Sequence, residues 1–197
     1  MNILLVLGTL TLGGIILSLM PKKASAHCDT MDGPAVKDGR KALETENINY
    51  AYKWIFEEYE EELKENFELS LKVRTLGADA QEVADRWFLE NFVRIHRAGE
   101  GASYDGLKPS GSNVDPVVVA ADESIELGNM SPLKGLVTEE EYHALEEKFN
   151  KAIALKDFDI DDVKASRAYV EAYVTFFKMA EGEEHGHGHD HGHHHGH

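Results

Sequence analysis

Residues 79–99, DAQEVADRWFLENFVRIHRAG, decide the fold class. Val83, Trp87, Phe88, Phe92 and Ile95 return at steps of three and four, a period that gathers them on one broad face of an α-helix. Asp79 starts the segment, and Gly99 and Gly101 end it. Upstream the same pattern repeats. Asn47 is placed to cap a helix in which Phe56, Tyr59, Leu63, Phe67, Ser70 and Leu71 share a face, with Gly77 terminating it. The acidic run over residues 57–68 reads as a solvated helix face that Leu63 and Phe67 interrupt at core spacing. Pro34, behind Asp32 and Gly33, opens a shorter helix that reaches about Glu46.

Downstream, the Gly-, Ser- and Pro-rich residues 99–113 read as a loop. Asp115-Pro116 is a helix start and Gly128 closes that helix; Ser131-Pro132 repeats the start signal. Thr138-Glu139-Glu140-Glu141 has capping-box spacing ahead of Tyr142, Leu145, Phe149 and Ile153. Asp159 is placed to cap the last helix, whose seam is Ile160, Val163, Arg167, Val170, Val174 and Phe177. Arg167 interrupts that apolar seam and reads as a snorkelling edge residue rather than the partner of a buried acid. Val117-Val118-Val119 is the one β-branched run, and the Asp-Pro before it favours helix. The expectation is an all-α fold: an antiparallel bundle of four main helices with one or two short extras, over residues 27–182.

The two ends differ in kind from the middle. Residues 3–20, ILLVLGTLTLGGIILSLM, are uncharged and mostly apolar, and Pro21-Lys22-Lys23 break the run. Ala24-Ser25-Ala26 then gives a small-x-small cleavage pattern, so residues 1–26 read as a signal peptide and the protein as exported to the periplasm or beyond. A retained anchor is the competing reading, because 18 apolar residues approach the length that spans a bilayer. Cleavage leaves 171 of the 197 residues, enough for one domain with a core; losing Lys22 and Lys23 takes the formal charge from −16 to −18. That acidity argues against nucleic acid, and against a membrane partner other than through an uncleaved leader. It suits metal cations. Self-association into a homo-oligomer stays open.

Residues 183–197, EEHGHGHDHGHHHGH, hold eight of the eleven histidines and no apolar residue. The segment cannot pack and is expected to be disordered without metal. His185, His187, His189, His191, His193, His194, His195 and His197 offer neutral imidazoles to nickel, copper or zinc, a pattern that points to metal buffering or delivery.

Cleavage after Ala26 would make His27 the first residue, with two metal-binding nitrogens: the α-amine and the imidazole. Cys28 follows and is the single cysteine, so it has no disulfide partner within the chain. His27 and Cys28 are therefore the candidate metal ligands and catalytic residues. Met31 stands three residues on, within copper's ligand repertoire. His96 is the candidate bundle-derived ligand, at a helix end beside the Gly-rich loop, with a helix-terminal His⁺ as the plainer alternative. Arg94 and Arg97 flank it and offer local positive charge; Tyr104 is a candidate for hydrogen bonding into the site, and His143 reads as a surface residue.

The stretch His27-Cys28-Asp29-Thr30-Met31-Asp32-Gly33 resembles the N-terminal metal hook of nickel superoxide dismutase, whose mature chain begins His-Cys-Asp-x-x-Cys-Gly. The likeness implies an exported helical bundle that holds a redox metal at its first residues. It covers about seven residues and the general architecture. Asp32 stands where the family has its second thiolate, so a two-sulfur nickel site cannot be built here; copper or nickel remain the candidates for the hook. A Gly-rich phosphate loop, a G-x-S-x-G elbow, H-E-x-x-H and a di-iron E-x-x-H pair are all missing. The leading expectation is a superoxide dismutase-like redox protein acting on superoxide. The alternatives are non-catalytic sequestration or delivery of nickel, copper or zinc, and a structural helical domain with incidental ends.

Overall fold

A computed structural model describes residues 27–112 and 114–182. The leader and its cleavage site, like the His-rich segment 183–197, lie outside the described residues. The fold is all-α. Among the described residues the helices are α1 (Pro34–Thr45), α2 (Asn49–Tyr52), α3 (Glu60–Val73), α4 (Ala78–Gly99), α5 (Pro116–Leu127), α6 (Glu139–Leu155) and α7 (Val163–Ala180). α3 and α4 pack as one helical hairpin, α6 and α7 as another. α1 lies on α4, and α5 on α7. Phe88, Phe92, Phe176, Leu43, Leu63, Ile95, Leu133 and Leu145 are fully buried between them. Burying each such side chain is worth about 1.5–3 kcal/mol.

The punctuation acts largely as expected. Asp115 Oδ1 accepts from the Val117 amide at 2.9 Å to cap α5, and Gly128 closes that helix in the left-handed conformation at φ 67°. The Thr138–Glu141 capping box forms at the start of α6. Leu63 and Phe67 are the core positions of the acidic helix, as expected.

Other expectations are corrected. No continuous helix runs from Asn47 to Gly77: α2 stops at Tyr52, and α3 begins only at Glu60. The carbonyls that would propagate the helix are taken by distant side chains. Arg167 Nε donates to the Tyr52 and Ile55 carbonyls at 3.2 and 3.0 Å, and His96 Nδ1 to that of Trp54 at 2.8 Å. Arg167 is thus no edge residue; its guanidinium also pairs with Glu60 and ties α7 to the start of α3. Val83 and Trp87 are 67% and 52% exposed, because the buried stripe of α4 runs through Ala84, Phe88, Phe92 and Ile95, one residue further round the helix. Ser131-Pro132 starts a single 3₁₀ turn rather than a helix. Asp162, not Asp159, caps α7 by accepting from the Ala165 amide at 2.9 Å; Asp159 closes the turn before it.

Candidate functional site

The site begins in the tight turn that precedes α1. The His27 carbonyl accepts from the Thr30 hydroxyl at 2.9 Å and from the Thr30 amide at 3.3 Å, and the Gly33 amide donates to the Thr30 carbonyl at 2.9 Å. A Cβ on Gly33 would lie 2.0 Å from the His27 carbonyl oxygen, so only glycine lets the chain fold back this closely. The loop after α4 clamps the other side: the Met31 amide donates to the Lys108 carbonyl at 2.9 Å, and the Lys108 amide to that of Asp29 at 2.8 Å. The Asp32 carboxylate is exposed and accepts from the Gly111 amide at 2.9 Å.

This turn presents His27 to α5 and α7. Its Nε2 is hydrogen-bonded to Asp122 Oδ2, whose other oxygen accepts from the Tyr173 hydroxyl. A carboxylate only accepts, so Nε2 carries the hydrogen, and in the neutral ring the lone pair is on Nδ1. Phe177 stacks on the imidazole at 5.5 Å between centroids. Burial, with the Asp122 charge second, pushes the Tyr173 phenol well above its ordinary range. A cleft of about 450 Å³ opens beside His27, with Asp32, Asp122, Glu123 and Glu126 in its lining against one lysine, Lys37.

Cys28 turns inward and is only 8% exposed. Burial first, then the charges of Glu100, Asp29 and Asp122, raise its thiol far above the usual range, with Arg97 pulling the other way. The free thiol therefore stays protonated, a poor nucleophile. Asp29, also buried, is pushed up to about 6 by burial, against the pull of Arg97.

The end of α4 supplies the remaining charges. His96 is 5% exposed, and burial lowers its pKa against the pull of Glu100. Arg97 is buried too: its Nη1 lies 2.9 Å from Glu100 Oε2, and its Nε 3.5 Å from Asp29 Oδ1. Lys178 from α7 reaches Glu100 Oε1 at 2.9 Å. Burial alone would raise the Glu100 carboxyl, but His96, Lys178 and Arg97 outweigh it and hold its pKa below the ordinary range.

The structure brings His27, Cys28, Arg97 and His96 to one end of the bundle. It takes others elsewhere. The Met31 sulfur lies 3.9 Å from an Arg40 guanidinium nitrogen, Arg94 pairs with Glu62 at the surface, and Tyr104 donates to Glu90. His143 is exposed, 3.9 Å from Glu146. Sequence reasoning missed Asp122, Tyr173 and Glu100. Asp122 did carry a signal: it shares the buried face of α5 with Val118, Ala121 and Ile125. Among the described residues no three His, Cys, Asp or Glu side chains already stand close enough to hold a metal ion.

Residues 32–179 match a family of unknown function, DUF6448. The chain belongs to the DUF6448 family. The matched span takes in His96, Glu100, Asp122 and Tyr173 and starts just after the hook residues 27–31. Comparison with curated proteins and with solved structures gives no match for this DUF6448 member. No described helix is long and apolar enough to cross a membrane.

Proposed function

We propose that the protein is an exported redox metalloprotein, superoxide dismutase-like, that holds copper or nickel at the His27–Cys28 hook once the leader has been removed. The observation that carries this reading is the bond from His27 Nε2 to Asp122. It leaves the lone pair on Nδ1, the nitrogen that can close a chelate ring with an α-amine on the same residue. A carboxylate behind a ligating imidazole is a recurrent outer-shell device in metal sites, fixing ring orientation and raising basicity. Cys28 adds a thiolate on ligation. Three carboxylates and one buried guanidinium act on its sulfur, a charge balance that a cation would improve. The metal supplies one-electron chemistry; the chain holds and orients it.

A second reading, sequestration or delivery of nickel, copper or zinc, is favoured by a specific observation. The cleft beside His27 has four carboxylates and one lysine in its lining, which draws cations and repels an anionic substrate. The His-rich segment and Asp32, in place of a second thiolate, point the same way.

The deciding experiment measures metal content and superoxide turnover of protein that begins at His27. Cys28→Ser should remove the thiolate-to-metal charge-transfer band and bring turnover to background, and His27→Ala should do the same. Asp122→Asn should weaken metal binding by about 10- to 100-fold. Dismutation unchanged in Cys28→Ser would end the enzyme reading and leave sequestration in its place.

A further inference from the structure

The last turn of α4 holds two groups that the hook does not use. His96 Nδ1–H donates to the Trp54 carbonyl at 2.8 Å, so the lone pair of the neutral ring is on Nε2. That nitrogen is fully enclosed and has no hydrogen-bond partner. It faces Glu100 Oε2, 3.8 Å away and one helical turn further on. Both atoms are acceptors. Two acceptors confronting each other away from water repel unless something electron-poor stands between them. A shared proton does not serve, since 3.8 Å lies beyond hydrogen-bond reach.

A metal ion does. Bonds of about 2.0–2.1 Å to imidazole nitrogen and 2.0–2.2 Å to carboxylate oxygen allow one ion to touch atoms up to about 4.2 Å apart. The surroundings resemble the outer shell that such ligands need: the Trp54 carbonyl fixes the ring, and Lys178 and Arg97 anchor the carboxylate, each at 2.9 Å. Cys28 lies within the field of both Glu100 and Arg97.

We propose that His96 Nε2 and Glu100 Oε2 clamp a first-row divalent cation at the end of α4, with the Cys28 thiolate as the third protein donor. On ligation the thiol gives up its proton to solvent, so uptake releases acid. The clamp rests on the metal reading above only through Cys28. It needs neither the α-amine nor the imidazole of His27, so it loads a chain whose leader is still attached.

Cobalt(II) tests this. It is added to the whole chain, leader included, and to the chain that begins at His27, and the thiolate-to-cobalt charge-transfer band is followed. The band reports a site containing Cys28, to which the imidazoles of residues 183–197 contribute nothing. The expected result is a band in both chains, weakened at least ten-fold in affinity by His96→Ala and by Glu100→Gln. A band confined to the processed chain and indifferent to both variants would overturn the clamp and leave the hook standing. A band equal in both chains and dependent on His96 and Glu100 would sink the α-amine hook and keep the clamp. Should either variant fail to fold, the unmodified chain decides: zinc added past saturation of the His-rich segment should shift the His96 ring resonances. Unmoved resonances refute the clamp.

Discussion

At the scale of single residues, Gly33 controls the site more firmly than its lack of a side chain suggests. Its φ of −73° is open to any residue; what demands glycine is the His27 carbonyl, 2.0 Å from where a Cβ would sit, with the Thr30 hydroxyl at 2.9 Å. Gly33→Ala must open the turn and pull His27 from Asp122, while Pro34 and the rest of α1 stay in place. The expected cost is about 1–3 kcal/mol in denaturant unfolding, the usual range for forced overpacking. It should come with weaker metal binding in the processed chain; unchanged stability and binding would show that the turn adjusts freely. His27, Cys28 and His96 were legible because their chemistry is rare in this chain. Asp122, Glu100 and Tyr173 were not, because an acid or a phenol on a helix looks the same in sequence whether it meets solvent or a distant imidazole. Only its position on the Val118–Ile125 face marks Asp122 as buried.

At the scale of elements, the repeat of three and four fixes that a segment is helical but places its buried face only to within about a residue. α4 shows this. Val83 and Phe88 both fit the apolar face read from sequence, yet one is 67% exposed and the other fully buried. Phe88→Ala should therefore cost about 3–5 kcal/mol, and Val83→Ala should stay within about 0.5 kcal/mol, the difference between emptying a core position and trimming a surface one. Equal losses in thermal or urea unfolding would put the helix in a different rotation. Caps were read well where a single side chain closes the helix, as at Asp115 and Thr138. The break after Tyr52 was not legible, since it depends on Arg167 and His96, remote in sequence, taking carbonyls that the helix would otherwise use.

At the scale of the whole molecule, side chains far apart in sequence tie the two helical hairpins together, and several are buried phenols with acids beside them. Tyr173 donates to Asp122 between α7 and α5, and Tyr104 to Glu90 between the long loop and α4. Burial, and then nearby carboxylate charge, raises the phenols of Tyr52, Tyr104, Tyr169 and Tyr173, with Tyr169 pushed up to about 12. A raised folded-state pKa means that above about pH 10, the ordinary value for tyrosine, the unfolded chain releases protons that the folded chain keeps. Stability from these groups is thus fully present below that pH and drains away as the pH climbs towards 12 and beyond. The acidic net charge of −16 adds self-repulsion in the same direction. The urea midpoint should accordingly fall steeply across this alkaline window. Phenolate absorbance from the buried tyrosines should rise together with the loss of helical signal, because their ionisation requires the hairpins to part. Complete phenolate formation at constant helix content would show that water reaches these rings in the folded bundle, and that the Tyr173–Asp122–His27 chain is not sealed within it.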